Sequence, residues 1–167
     1  MPYLCRGVYH CSRAGEPLKL SVPWLSSYRK VVAPLIELNP HEEMFVRSFV
    51  VANKRARYLS LLDSERGRKK ILAGFHHFRD LDSRYAQRIP HNQQSAQSIE
   101  ALLKSKGAPK TCYVMSEDMN LDGREMELNA ALSEIVGMDA GAFVSCIPGK
   151  LAYFEMEGLS ERYLLIK

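Results

Sequence analysis

Four short apolar runs crowd the closing part of the chain: KTCYVMS at 110–116, AFVSCI at 142–147, LAYFEME at 151–157 and RYLLI at 162–166. They favour β structure, are too short for a stable helix, and reach their neighbours through turn formers, so each reads as a strand. Between the first and second lies EDMNLDGRE, a turn, followed by MELNAALSEIVG. There Leu128, Ala131, Leu132, Ile135 and Val136 recur at helical spacing and Gly137 ends the pattern. Pro148 then Gly149 suits a type II turn between the second and third runs. The expected order is strand, helix, strand, strand, strand.

Ahead of residue 110 the periodicity is helical. NPHEE is a helix start, with Asn39 at the N-cap, Pro40 in the first helical position and Glu42 where a capping box needs it. Phe45, Phe49, Ala52, Ala56 and Leu59 continue as a single stripe, leaving Arg47, Lys54, Arg55 and Arg57 on the opposite side. Ser64 caps a second helix whose apolar face is Ile71, Leu72, Phe75 and Phe78. That pattern is free to continue or kink as far as Pro90. A third helix is expected from Ser95 to Lys106, closed by Gly107, with Pro109 beyond it.

Helices first and strands afterwards make an α+β fold. Two to three amphipathic helices form an N-terminal half that packs with a small C-terminal sheet, mixed or antiparallel, containing one crossover helix. Residues 1–38, punctuated by Gly7, Gly15, Pro17, Pro23 and Pro34, read as an irregular arm. Residues 39–167 read as one domain, with a basic helical part (39–106) and an acidic strand-bearing part (110–167). A chain of 167 residues can bury a core without staples. No apolar run approaches the roughly 18 residues of a membrane span. The start lacks an apolar signal core, so the expectation is a cytoplasmic chain with reduced thiols at Cys5, Cys11, Cys112 and Cys146.

Charge is divided along the chain. Residues 1–110 hold 19 Lys or Arg and 9 Asp or Glu; residues 111–167 hold 4 and 10. Such asymmetry points to electrostatic work with a partner or between the halves. Its centre is NKRARYLSLLDSERGRKK, residues 53–70, with seven bases and two acids. A solvated helix face accounts for charge there, but solvated faces ordinarily mix signs. The one-sided sign favours a non-catalytic module that binds nucleic acid or another polyanion. Lys54, Arg55, Arg57, Arg66, Arg68, Lys69 and Lys70 would meet phosphates. The alternative is a protein-interaction or structural subunit whose basic face docks an acidic protein surface, or a second copy as a homo-oligomer.

DMNLDG opens like a calcium loop, with Asp118, Asn120 and Asp122 at alternate positions and Gly123 at the bend. The twelfth position is Asn129, where the loop needs a bidentate glutamate, and an Asx turn explains the same residues. Calcium or magnesium is the cation such a site would take. A third option follows: a metal-dependent phosphodiester enzyme using the acidic loop 117–125. Cys5, His10 and Cys11 lack a fourth zinc ligand at a known spacing. Adjacent His76 and His77 would diverge by about 100° on a helix. Phosphate-loop and dinucleotide signatures are missing, and no other cofactor is expected.

Overall fold

The computed structural model describes residues 38–157 and 161–167. All of them belong to one compact unit, Ile36–Lys167. Except for Leu38, the expected arm lies outside the described residues, and Cys5, His10 and Cys11 with it.

Helix α1 (Pro40–Phe49) begins as its sequence requires: the Asn39 side chain accepts from the His41 amide at 2.9 Å and Pro40 follows directly. It does not run on through Ala52 and Ala56. Val50 is extended, at φ −87° and ψ 145°. It forms an antiparallel bridge with Leu81. The Val51 amide donates to the Asp80 carbonyl at 2.9 Å, and the Asp82 amide to that of Phe49 at 2.7 Å. Two consecutive β-branched residues favour extended backbone, and here segment 80–82 supplies the partners. Ala52 and Ala56, placed inward by a single-helix stripe, are exposed.

Helix α2 (Arg55–Leu62) follows a short 3₁₀ turn, and only Asp63 and Ser64 separate it from α3 (Glu65–Leu72). Ser64 caps α3, accepting from the Gly67 amide at 3.1 Å. A Cβ at Gly67 would lie 2.1 Å from the Leu61 carbonyl oxygen, so glycine is what allows the two helices to turn this sharply. The pattern does not continue helically to Pro90. A 3₁₀ turn at Phe75–His77 leads into strand β1 (Ala86–Arg88), which pairs with the end of the chain.

Helix α4 (Ala96–Ser105), β2 (Thr111–Ser116), α5 (Leu128–Ile135), β4 (Ala142–Ile147), β5 (Leu151–Glu155) and β6 (Arg162–Ile166) fall where the periodicity puts them. Strand β3 (Glu125–Glu127), half of a short return on β2, has too few apolar residues to be seen in sequence. The six strands lie in the order β1-β6-β5-β4-β2-β3, and all neighbours are antiparallel. The fold is α+β.

Alternate residues of the central strands divide the core in two. Val114, Val144, Tyr153 and Leu164 meet Ile99 and Leu103 of α4 and Leu128 and Leu132 of α5. Met115, Phe143, Phe154 and Leu165 meet Phe45 and Phe49 of α1, with Ile71, Phe75 and Phe78. The sheet is thus covered on both faces, with α4 opposite the three preceding helices. Among the described residues no helix is long and apolar enough to cross a membrane.

Phe45 anchors the second cluster. It is fully buried, and its ring centroid lies 4.5 to 6.1 Å from those of Phe75, Phe78, Phe143 and Phe154. Phe45→Ala should cost about 3–5 kcal/mol. Urea denaturation checks this; a loss below about 1 kcal/mol would contradict the packing described.

Candidate functional site

The break at Val50 and the tight α2–α3 turn decide where the basic residues of 53–70 go. Arg57 of α2 and Lys70 of α3 line a single cleft of about 330 Å³, together with His77 and Arg79. The two helix faces therefore meet there. Arg57, Lys70 and Arg79 are exposed. Among the described residues the cleft's one lining carboxylate, Asp80, accepts from the Tyr58 hydroxyl at 2.8 Å. Burial and that hydrogen bond push the Tyr58 phenol well above its ordinary range. Arg66 lies one turn before Lys70 on α3 and is exposed; Lys54 precedes Arg57 by three residues and is half-buried.

Three of the seven bases are held elsewhere. Arg55 donates to the Val50 carbonyl at 2.8 Å and lies 3.8 Å from Asp82, tying α2 to the helix break. Lys69 pairs with Glu65 one turn back, both exposed, on the side of α3 that faces a different cleft. Arg68 is built into the fold. Its Nε donates to both oxygens of Glu42, at 2.9 and 3.0 Å, and its Nη1 and Nη2 grip Asp122 at 2.5 and 2.9 Å. Tyr113 donates to the same Glu42 at 2.5 Å. Glu42, expected to close a capping box, is instead a buried acceptor linking α1, α3 and β2. These hydrogen bonds raise the Arg68 pKa further, so it stays charged. Its guanidinium is thus committed to Glu42 and Asp122, unlike the exposed cations of the cleft.

That same network accounts for the turn 117–125. Asp122 is taken by Arg68 and also accepts from the Ser116 amide at 3.2 Å. Asp118 accepts from the amide and side chain of Asn120, at 2.8 and 3.0 Å, an Asx turn. Glu117 bonds His76 through one oxygen and accepts from the Gly141 amide through the other, at 3.1 Å. The carboxylates point to protein donors rather than to a shared centre. Among the described residues no group of three or more His, Cys, Asp or Glu is placed to hold a metal ion. Asp118 and Asn120 thus form the capped turn their sequence also suits, and Asp122 is paired with Arg68.

Two pairings, His76 with Glu117 and His41 with Ser145, have no sequence signal, because they join residues far apart in the chain. His76 and His77 are not splayed on a helix. They sit in the 3₁₀ turn, with ring centroids 4.6 Å apart, and both line a second cleft of about 520 Å³. His41 Nδ1 lies 2.8 Å from Ser145 Oγ, but the Ser145 side chain is buried and the His41 ring stacks on Tyr113. Burial lowers the His41 pKa, and nearby Glu125 offsets part of that. Cys112 and Cys146 are free and buried, and burial pushes both thiols up to about 12, which leaves them unreactive as nucleophiles. Compared with models of known families, with curated proteins and with solved structures, the chain matches none.

Removing Arg68 would strand the carboxylate of Glu42 in the core. Arg68→Ala should cost about 3–5 kcal/mol, whereas Lys69→Ala, which breaks an exposed pair, should change stability by under about 0.5 kcal/mol. Chemical denaturation of the two variants tests the contrast; equal losses would refute it. His41 should titrate below 6.5 in an NMR pH series, because its folded pKa is depressed. Its contribution to stability is complete above 6.5 and is lost as pH falls through the lower folded value.

Proposed function

We propose that this chain binds nucleic acid through the phosphate backbone, at the cleft lined by Arg57, Lys70 and Arg79. Arg66 and Lys54 extend the contact along the two helices. The observation that carries this is the meeting of cations from successive elements in one concave surface. Three of them oppose one carboxylate, and that carboxylate already holds a tyrosine hydroxyl. Among the described residues none of the three has a carboxylate partner, in contrast to Arg55, Arg68 and Lys69. Exposed cations converging on a groove concentrate polyanions and steer their approach. Backbone contacts of this kind carry no sequence preference and weaken steeply with salt.

Fluorescence anisotropy with single-stranded RNA and DNA oligonucleotides over a salt series tests the proposal. Three phosphate contacts should give a slope of log affinity against log salt of about −2. The triple substitution of Arg57, Lys70 and Arg79 by Ala should abolish binding. Lys104→Ala, on α4 across the sheet, should leave it unchanged. Absence of binding at about 50 mM salt, where such contacts are strongest, overturns the proposal.

A further inference from the structure

We infer that Cys112 and Cys146 form a redox site, a dithiol that closes to a reversible disulfide across β2 and β4 and staples the segment between them. The basic cleft is built over the other face of the sheet, so this site is independent of the binding proposal.

Register brings the two thiols together. The antiparallel ladder of β2 and β4 runs from Ser116 opposite Ala142 to Tyr113 opposite Ser145. One residue further along each strand stand Cys112 and Cys146. Side chains alternate along a strand, and both cysteines fall on the α4 and α5 side, in one cluster with Val114 and Val144. The irregularity between Ser145 and Ile147 lies in the pairing of β4 with β5, and Cys146 keeps the side that Val144 has.

The phase of the backbone hydrogen bonds sets how closely they approach. The Val114 amide donates to the Arg124 carbonyl and the Gly123 amide to the Val114 carbonyl, both at 2.9 Å, so Val114 directs its backbone groups away from β4. Cys112, two residues earlier, is turned the same way and pairs with Met126 of β3. Toward β4, Cys112 and Cys146 therefore occupy a position with no backbone hydrogen bond between them. Cα atoms at such positions lie about 4.5 Å apart, against about 5.5 Å at bonded ones. A disulfide spans Cα separations of about 4.4–6.8 Å. The strands thus already stand within bridging distance.

Both thiols are free and buried, and in the closed fold they keep their protons. Reaction runs through opening at the margin of the sheet. Among the described residues β2 is covered on its outer side by β3 alone, three residues long, whereas β4 lies between β2 and β5. Cys112 is the thiol that such opening exposes first.

The oxidant is a small-molecule disulfide. Cys112 loses its proton to water, and its sulfur attacks one sulfur of the reagent; the reagent's S–S bond breaks and a thiolate leaves. The Cys146 sulfur, deprotonated in turn, attacks Cys112 Sγ and displaces the second thiolate. Two electrons pass from the cysteine pair to the reagent, which departs as two thiols. Excess thiol reverses both steps. The new bond closes a loop of 35 residues that contains the turn 117–125, β3 and α5. Restricting the unfolded chain in this way stabilises the fold.

The experiment incubates the full chain in native buffer with excess hydroxyethyl disulfide, blocks the remaining thiols with iodoacetamide and digests with trypsin without reduction. Cleavage at Lys110, Arg124 and Lys150 leaves Cys112 in peptide 111–124 and Cys146 in peptide 125–150, each with one cysteine. The expected result is a mass for the two peptides joined, lost on treatment with dithiothreitol. The oxidised chain should melt about 5 °C or more above the reduced one. The joined mass should survive Cys5→Ser with Cys11→Ser and vanish in Cys112→Ala. Separate, alkylated peptides after prolonged oxidation overturn the inference, as does a link from either peptide to Cys5 or Cys11 in its place. A link that forms only in denaturing urea overturns it too, because register would then have no part in it. An oxidised chain that melts no higher than the reduced one overturns the staple.

Discussion

Tyr113 and Met115 point to one side of the sheet, Cys112 and Val114 to the other, and all four are buried. An antiparallel sheet more often leaves one face to water. Here the central strands are apolar along their whole length, so both faces must be covered. A chain of this size can do that only by sending helices to each side. Helices α1, α2 and α3 serve the Phe45 side, and α4 and α5 serve the Ile99 side. The few polar side chains inside are therefore paired with care. Glu155 accepts from Tyr153, Arg162 and the Gly137 amide, and Glu42 from Arg68 and Tyr113. Among the described residues no buried side-chain nitrogen or oxygen is left without a partner. That is what a low-dielectric interior demands.

The helix break at Val50 is the local event with the widest reach. Had α1 continued, Lys54, Arg55 and Arg57 would have stayed on the outer side of one long rod. The bridge to Leu81 redirects the chain, and the Ser64–Gly67 turn folds α3 back beside α2. Arg57 and Lys70 come together as a result. Segment 80–82 takes part twice, holding the break with its backbone while the Asp80 carboxylate anchors Tyr58. The 3₁₀ turn after α3 then places His77 where two clefts meet, with His76 in the second.

Not all charge in this protein faces a partner. Arg68 joins α3 to Glu42 of α1 and to Asp122 beyond β2, so part of the basic half and part of the acidic half neutralise each other inside the molecule. Asp82 is likewise claimed by Arg84 and Arg55, which hold its carboxyl near 2. The cations left exposed are fewer than a count along residues 53–70 implies, and they are more tightly grouped. Concave grouping matters more to a polyanion than total charge, because field lines concentrate in a groove.

Periodicity and punctuation determine a good deal by themselves. Strands β2, β4, β5 and β6, the caps at Asn39 and Ser64, and helices α4 and α5 are written in local patterns that need no partner to be recognised. Strands β1 and β3, three residues each, have no such pattern and exist because β6 and β2 offer unpaired edges. The same distinction runs through the site. A surplus of bases is legible one residue at a time. Whether Arg68 faces water or Glu42, and whether His76 meets Glu117, depends on contacts spanning 26 and 41 residues of chain. Side-chain pairing at that separation is set by packing of whole elements, and tertiary structure alone decides it.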